Sequence, residues 1–298
     1  MTTLPRTPDA LAAAQRSGIA LVLVAATLWS SSGLFVKLLT VSPLALTGLR
    51  SALATVSLLP FVRLRGLRLD ATIVVLMLAF GLTQVFFVTA TRWTTAANAI
   101  ALQSTAPAWV FLLSCLVSRR VQVPLLLPLA LIGAGIAAML AEPAHGTSLQ
   151  GNLLGLACGF TFAVTQLAFK RVNQPMVGAV TLANLASALV IPLLAPGAFR
   201  LGEIAAWEWV ALLYLGAIQI GLANLCFMAG VRRITVSQAS ILVLLEPLLN
   251  PLWVYLVLGE LPSSYGFAGY VLILAGIGAD FWLRLTLPSL QHPPGAVR

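Results

Sequence analysis

Apolar segments of about twenty residues, the length a helix needs at 1.5 Å per residue to cross a hydrocarbon layer of about 30 Å, follow one another through the whole chain. The first set lies at about Gly18 to Leu39, Pro43 to Val62, Asp70 to Thr91, Thr95 to Ser118 and Val123 to Leu140. The second lies at about Leu149 to Phe169, Pro175 to Ala195, Ala205 to Met228, Ile234 to Leu258 and Pro262 to Leu283. Of the 298 residues, 60% are hydrophobic and only 8% charged, against roughly 25% charged in a soluble domain. A water-soluble fold could not hide that much apolar side chain, so lipid is the expected solvent. The first segment is too long for the core of a cleaved signal and reads as a spanning helix.

Short connectors, Thr40 to Ser42, Arg92 to Thr94 and Gly259 to Leu261, make consecutive helices antiparallel neighbours and leave no room for a soluble domain. The net charge of +9 comes from basic residues scattered in pairs between apolar segments, which excludes a nucleic-acid face and points to membrane orientation. With the N-terminus cytoplasmic, that side collects Arg6, Arg16, Arg63, Arg65, Arg68, Arg119, Arg120, Lys170, Arg171, Arg232, Arg233, Arg284 and Arg298, and the other only Lys37, Arg92 and Arg200. Both termini are therefore expected on the cytoplasmic face of the inner membrane. Trp93, Trp207, Trp209 and Trp282 sit where an interfacial belt belongs.

Cys115, Cys158 and Cys226 lie inside apolar stretches without the spacing of a disulfide or a metal site, and both histidines, His145 and His292, fall outside the spans. No nucleotide-binding loop, catalytic constellation, metal site or cofactor site is expected. The partners expected are a small-molecule substrate, membrane lipid and protons as a coupling ion.

The chain repeats. A shift of 140 residues lays GLTQVFFVTATRWTT from Gly81 on GLANLCFMAGVRRIT from Gly221, matching Gln84 with Asn224 and, further on, Pro107 with Pro247. A shift of 133 lays Gly18 on Gly151 and Lys37 on Lys170. The halves are residues 1–145 and 146–298. Each holds five spans, an odd number, so the second enters the membrane from the opposite face. The fold class is all-α integral membrane, ten transmembrane helices as two inverted five-helix repeats. Two near-equivalent asymmetric arrangements of such a pair expose a central site to one face and then the other, which is alternating access.

Gly151, Gly155 and Gly159 have the spacing that lets helix backbones approach in lipid. Arg50 lies about 10 Å into the second span and Glu246 about 18 Å into the ninth, counted from opposite faces. Each needs a partner or a wet cavity, and the two could face each other. Three roles stay open for Glu246: proton coupling, binding a cationic part of the substrate, or a structural contact beside Pro247. Arg50 either attracts an anionic substrate group or pairs structurally. Pro107 and Pro247 are expected to bend the fourth and ninth helices and to expose backbone polarity. Asn98, Gln103, Gln238 and Asn250 beside them make those helices the expected cavity wall, with Gln84 and Asn224 secondary. Interhelical hydrogen bonding without substrate is the competing reading for each amide. Trp29 and Trp109, both deep in their spans, could stack on an apolar or aromatic substrate or simply pack.

Leu28 to Lys37, LWSSSGLFVK, together with Pro43 to Arg50, PLALTGLR, resembles the first two helices of the EamA family of the drug and metabolite transporter superfamily. The strongest likeness is Glu246 to Glu260, EPLLNPLWVYLVLGE, followed by Gly266 to Ile277, GFAGYVLILAGI. The resemblance implies secondary export of a small metabolite, an amino acid, aromatic ones included, or a related compound; nucleosides and drugs are alternatives. Glu260 matches the glutamate that closes the family's ninth helix, whereas its first-half equivalent here is Arg120, a departure from symmetry. An intramembrane enzyme would need convergent catalytic groups, and a channel a continuous polar stripe; neither pattern is found in the spans.

Overall fold

The computed structural model describes residues 8–63, 67–119, 121–141 and 149–287; Arg6, Arg65, Arg120, His145, His292 and Arg298 lie outside them. Among the described residues the secondary structure is helical throughout, and ten helices are long and apolar enough to cross a membrane. The first five spans are Leu11–Leu38, Pro43–Phe61, Ala71–Trp93, Ala96–Ser118 and Val123–Leu140. The second five are Leu149–Arg171, Met176–Leu194, Ala206–Gly230, Gln238–Leu258 and Ser264–Thr286. The first span starts earlier than hydropathy places it, because Pro8 to Ser17 continue the helix with polar residues on it. Leu116, Leu193 and Val56 are largely bare within the chain, as side chains are when lipid covers them. Trp93, Trp207, Trp209 and Trp282 stand exposed near span ends.

The two five-span halves form an inverted repeat, and small residues record the equivalence. A Cβ on Gly18, in the first span, would fall 2.8 Å from Arg233 Cβ and from Ile234 at the end of the eighth. A Cβ on Gly151, in the sixth, would fall 2.6 Å from the Trp93 carbonyl carbon and 2.8 Å from Thr94 N at the end of the third. The 140-residue shift that carries Trp93 to Arg233 and Thr94 to Ile234 thus relates two copies of one close helix contact. Thr95 and Thr235 likewise cap the fourth and ninth spans, each hydroxyl accepting a backbone N–H three residues on.

The chain forms two compact units, and each draws helices from both halves. One comprises Met1–Arg68 and Gln174–Trp253, the other Leu69–Asn173 and Val254–Arg298. Within the first, the first span packs on the eighth and the second on the seventh. Within the second, the third packs on the sixth and the fifth on the tenth.

Four spans depart from regular α-helix away from their ends. The first is interrupted at Ser31, between Pro8–Ser30 and Ser32–Leu38. The fourth breaks between Ala96–Gln103 and Ala106–Ser118, and the ninth between Val236–Val243 and Leu245–Leu258. Pro107 and Pro247 stand just inside the second segments, where a missing amide hydrogen is tolerated. The eighth widens from Tyr214 to Leu222 into a π-helix, a form usually confined to single turns at functional places.

Candidate functional site

Interrupting a helix strands backbone groups on either side, and these must find other partners. At the break in the first span three successive serines do much of that. Ser30 Oγ donates to Thr27 O and accepts the Trp253 indole N–H at 2.9 Å. Ser31 Oγ donates to Leu28 O and so accepts Tyr214 OH, also at 2.9 Å. Ser32 Oγ takes the Asn250 amide N–H₂ at 3.5 Å. The Trp29 carbonyl accepts from the Gln219 side chain at 3.4 Å. Rings flank the break on both sides: Trp29 lies 5.1 Å from Phe227, and Phe35 lies 4.6 Å from Tyr214. Gly33 makes room for this amide, because a Cβ would overlap the Asn250 side-chain oxygen.

Asn250 is fully buried and Gln219 nearly so, yet the oxygen of each amide has no hydrogen-bond partner among the described residues. Their N–H₂ groups reach the first span at 3.4 and 3.5 Å, and the oxygens are left over. Glu246 stands in the first turn of the ninth span's second segment, half-buried, one helical turn before Asn250. Arg50 is 2% exposed in the second span.

The other expected residues fall into different settings. Asn98 is buried in the second unit and donates to Asn152 Oδ1, which also accepts Thr94 Oγ1 at 2.7 Å. The Asn152 amide in turn donates to Met139 O at 2.9 Å, so this network ties the fourth, fifth and sixth spans. Gln103 accepts the Cys158 thiol. Trp109 packs edge-on against Phe160 at 5.4 Å. The Asn224 side chain bonds back to Ile220 O in its own helix, and Gln238 closes a capping box with Thr235. Gln84 is half-buried in the third span.

Sequence reasoning missed Tyr214, Gln219, Trp253 and Glu208. Glu208 lies between two interfacial tryptophans, where an acid reads as solvated. Instead it is 2% exposed, accepting Thr40 N at 2.6 Å, Thr40 Oγ1 at 2.8 Å and Ala205 N at 3.0 Å. It lines a cleft of about 340 Å³ with Ser42, Ala198, Arg200 and Glu203. Glu260 has a comparable task, accepting the first free N–H of the fourth span, Ala96 N, at 2.7 Å. No group of three or more metal-ligating side chains occurs among the described residues.

Ten lipid-exposed spans, duplicated with opposite sense and opened internally by polar interruptions, define a polytopic helical membrane protein of transporter architecture. The sequence signature of the EamA-like transporter family matches residues 16–141 and again 149–279, and the chain belongs to that family. An uncharacterized transporter of Archaeoglobus fulgidus is 30% identical over 265 residues, covering 88% of this chain and 95% of its own. A protein of known crystal structure shares the fold with a TM-score of 0.61 over 92% of this chain and 99% of that one, at 22% identity.

Proposed function

We propose that this transporter is a secondary exporter of an amino acid or related small metabolite, working by alternating access. The observation that carries the reading is the interruption of the fourth and ninth spans at equivalent points of an inverted repeat. Discontinuous helices present backbone polarity to a bound solute, and inverted repeats supply the two exchangeable conformations. The repeats 1–145 and 146–298 exchange shapes during transport, and both termini lie in the cytoplasm at the inner membrane. Trp29, Asn250 and the serines at the break form the substrate-facing surface of the first unit. Arg50 attracts the substrate carboxylate, and Glu246 carries the coupling proton. Buried amides together with the ring pairs Trp29–Phe227 and Phe35–Tyr214 suit a molecule that is polar at one end and apolar at the other.

Purified protein in vesicles, loaded in turn with amino acids and nucleosides and assayed for counterflow with and without a proton gradient, tests this. Saturable counterflow of amino acids, accelerated by the gradient in wild type and not in Glu246→Gln, is expected. Flux that does not saturate would replace the transporter reading with a channel, and counterflow restricted to nucleosides would replace the substrate.

A further inference from the structure

We propose that the interruption of the first span is the seat of a primary ammonium group, read by the side-chain oxygens of Gln219 and Asn250. The assignment rests on the amino-compound reading above and names the atoms that would enforce it. A buried acceptor without a donor is costly, and natural structures retain one chiefly where something else supplies the hydrogen. Two such acceptors belong to amides that meet one turn of helix here. Gln219 bonds Trp29 O, Asn250 sits against Ser32 and Gly33, and Trp29 to Gly33 spans about one turn, roughly 6 Å.

The chemistry favours a cation with several N–H donors over water or an anion. What the two amides leave over is oxygen, and the hydroxyls of Ser30 and Ser31 already donate to backbone carbonyls. An ammonium offers three donors, two of which the amide oxygens can accept. Glu246, one turn before Asn250 and on the same helix face, has no hydrogen bond or ion pair among the described residues and supplies the opposite charge. The Trp29–Phe227 and Phe35–Tyr214 pairs add ring faces of the kind that attract ammonium groups. Gly33 lets the Asn250 oxygen lie against the break, because any side chain there would occupy its place.

The test uses methylammonium as probe, with tetramethylammonium and sodium at equal ionic strength as controls, and reads thermal unfolding of the purified full-length protein. Methylammonium alone should raise the midpoint in wild type. Asn250→Leu and Gln219→Met should each weaken its apparent affinity about tenfold, the scale of one hydrogen bond to a charged group, while Asn250→Asp keeps it. Equal shifts with all three cations, or a methylammonium shift that survives both substitutions, would overturn the seat. Should the variants not fold, wild-type vesicles decide: N-acetylated amino acids competing as well as the free ones would also overturn it. Amino-acid counterflow without discrimination against the N-acetyl forms leaves the transport reading intact and removes the seat. A residue-dependent methylammonium response without amino-acid counterflow does the reverse.

Discussion

The first and sixth spans occupy equivalent places in the two repeats and begin with the same glycine contact, yet one is broken and the other runs unbroken from Leu149 to Arg171. At the 133-residue shift Ser30, Ser31 and Ser32 face Ala163, Val164 and Thr165, and Gly33 faces Gln166. Clustered serines followed by glycine offer the backbone competing hydrogen bonds and little side-chain bulk, a recognised cause of kinks. The sixth span uses its polar groups differently. Thr161 and Thr165 bond within the helix and meet Thr83, and Asn152 is saturated by Thr94, Asn98 and Met139. Duplication therefore produced one helix that knits its unit together and one whose partners, Gln219 and Asn250, keep buried oxygens unclaimed.

Disrupting the knit helix should have the largest effect. A Cβ at Gly159 would sit 2.5 Å from both Leu102 O and Thr105 Oγ1, so Gly159→Val should lower stability by about 3 kcal/mol in detergent melts. Gly278, with open space around it, should accept alanine with a change within about 0.5 kcal/mol. The clamps after the two spans come next. Glu208→Ala removes three bonds to a buried carboxylate and should cost about 2 kcal/mol, measured by the same melts. Its counterpart after the sixth span is exposed, Gln174 accepting Arg68 N, and Gln174→Ala should cost under about 1 kcal/mol.

Healing the broken helix separates stability from function. The triple substitution Ser30→Ala, Ser31→Val, Ser32→Thr imports the sixth-span residues. It should slow counterflow about tenfold, equivalent to ~1.4 kcal/mol on the barrier, without lowering the melting point. Unchanged flux would mean that the interruption is incidental. The smallest effects belong to the ends of the fourth and ninth spans, where Arg119 and Gly259 hold the same left-handed conformation, φ 53° and 67°. Arg119→Gly should stabilise and Gly259→Ala destabilise by about 1 kcal/mol each, since only the glycine is unstrained there.

What could be read from sequence was whatever depends on averages or fixed spacing. Ten spans follow from apolar length, the duplication from matched glycines and prolines, and the family from motifs such as EPLLNPLWVYLVLGE. The break at Ser31 escaped because hydropathy averaged over a span cannot register a few missing backbone hydrogen bonds. Tyr214 and Gln219 escaped because their roles come from partners more than 180 residues away. Gln238 shows the opposite, a local tie: its side-chain oxygen accepts the backbone N–H of Thr235 three residues away. Polarity in a span is visible in sequence; whether it is already spoken for is a property of the packed neighbours.

The π-helix from Tyr214 to Leu222 stores more residues per turn than an α-helix of the same height. Releasing one residue into regular pitch would rotate everything beyond it by about 100°. Tyr214, at the start of that reservoir, and Gln219, within it, are among the groups holding the broken first span. A screw motion of one helix could thus let go of the hydroxyl, the amide or both without any span leaving its place in the bilayer.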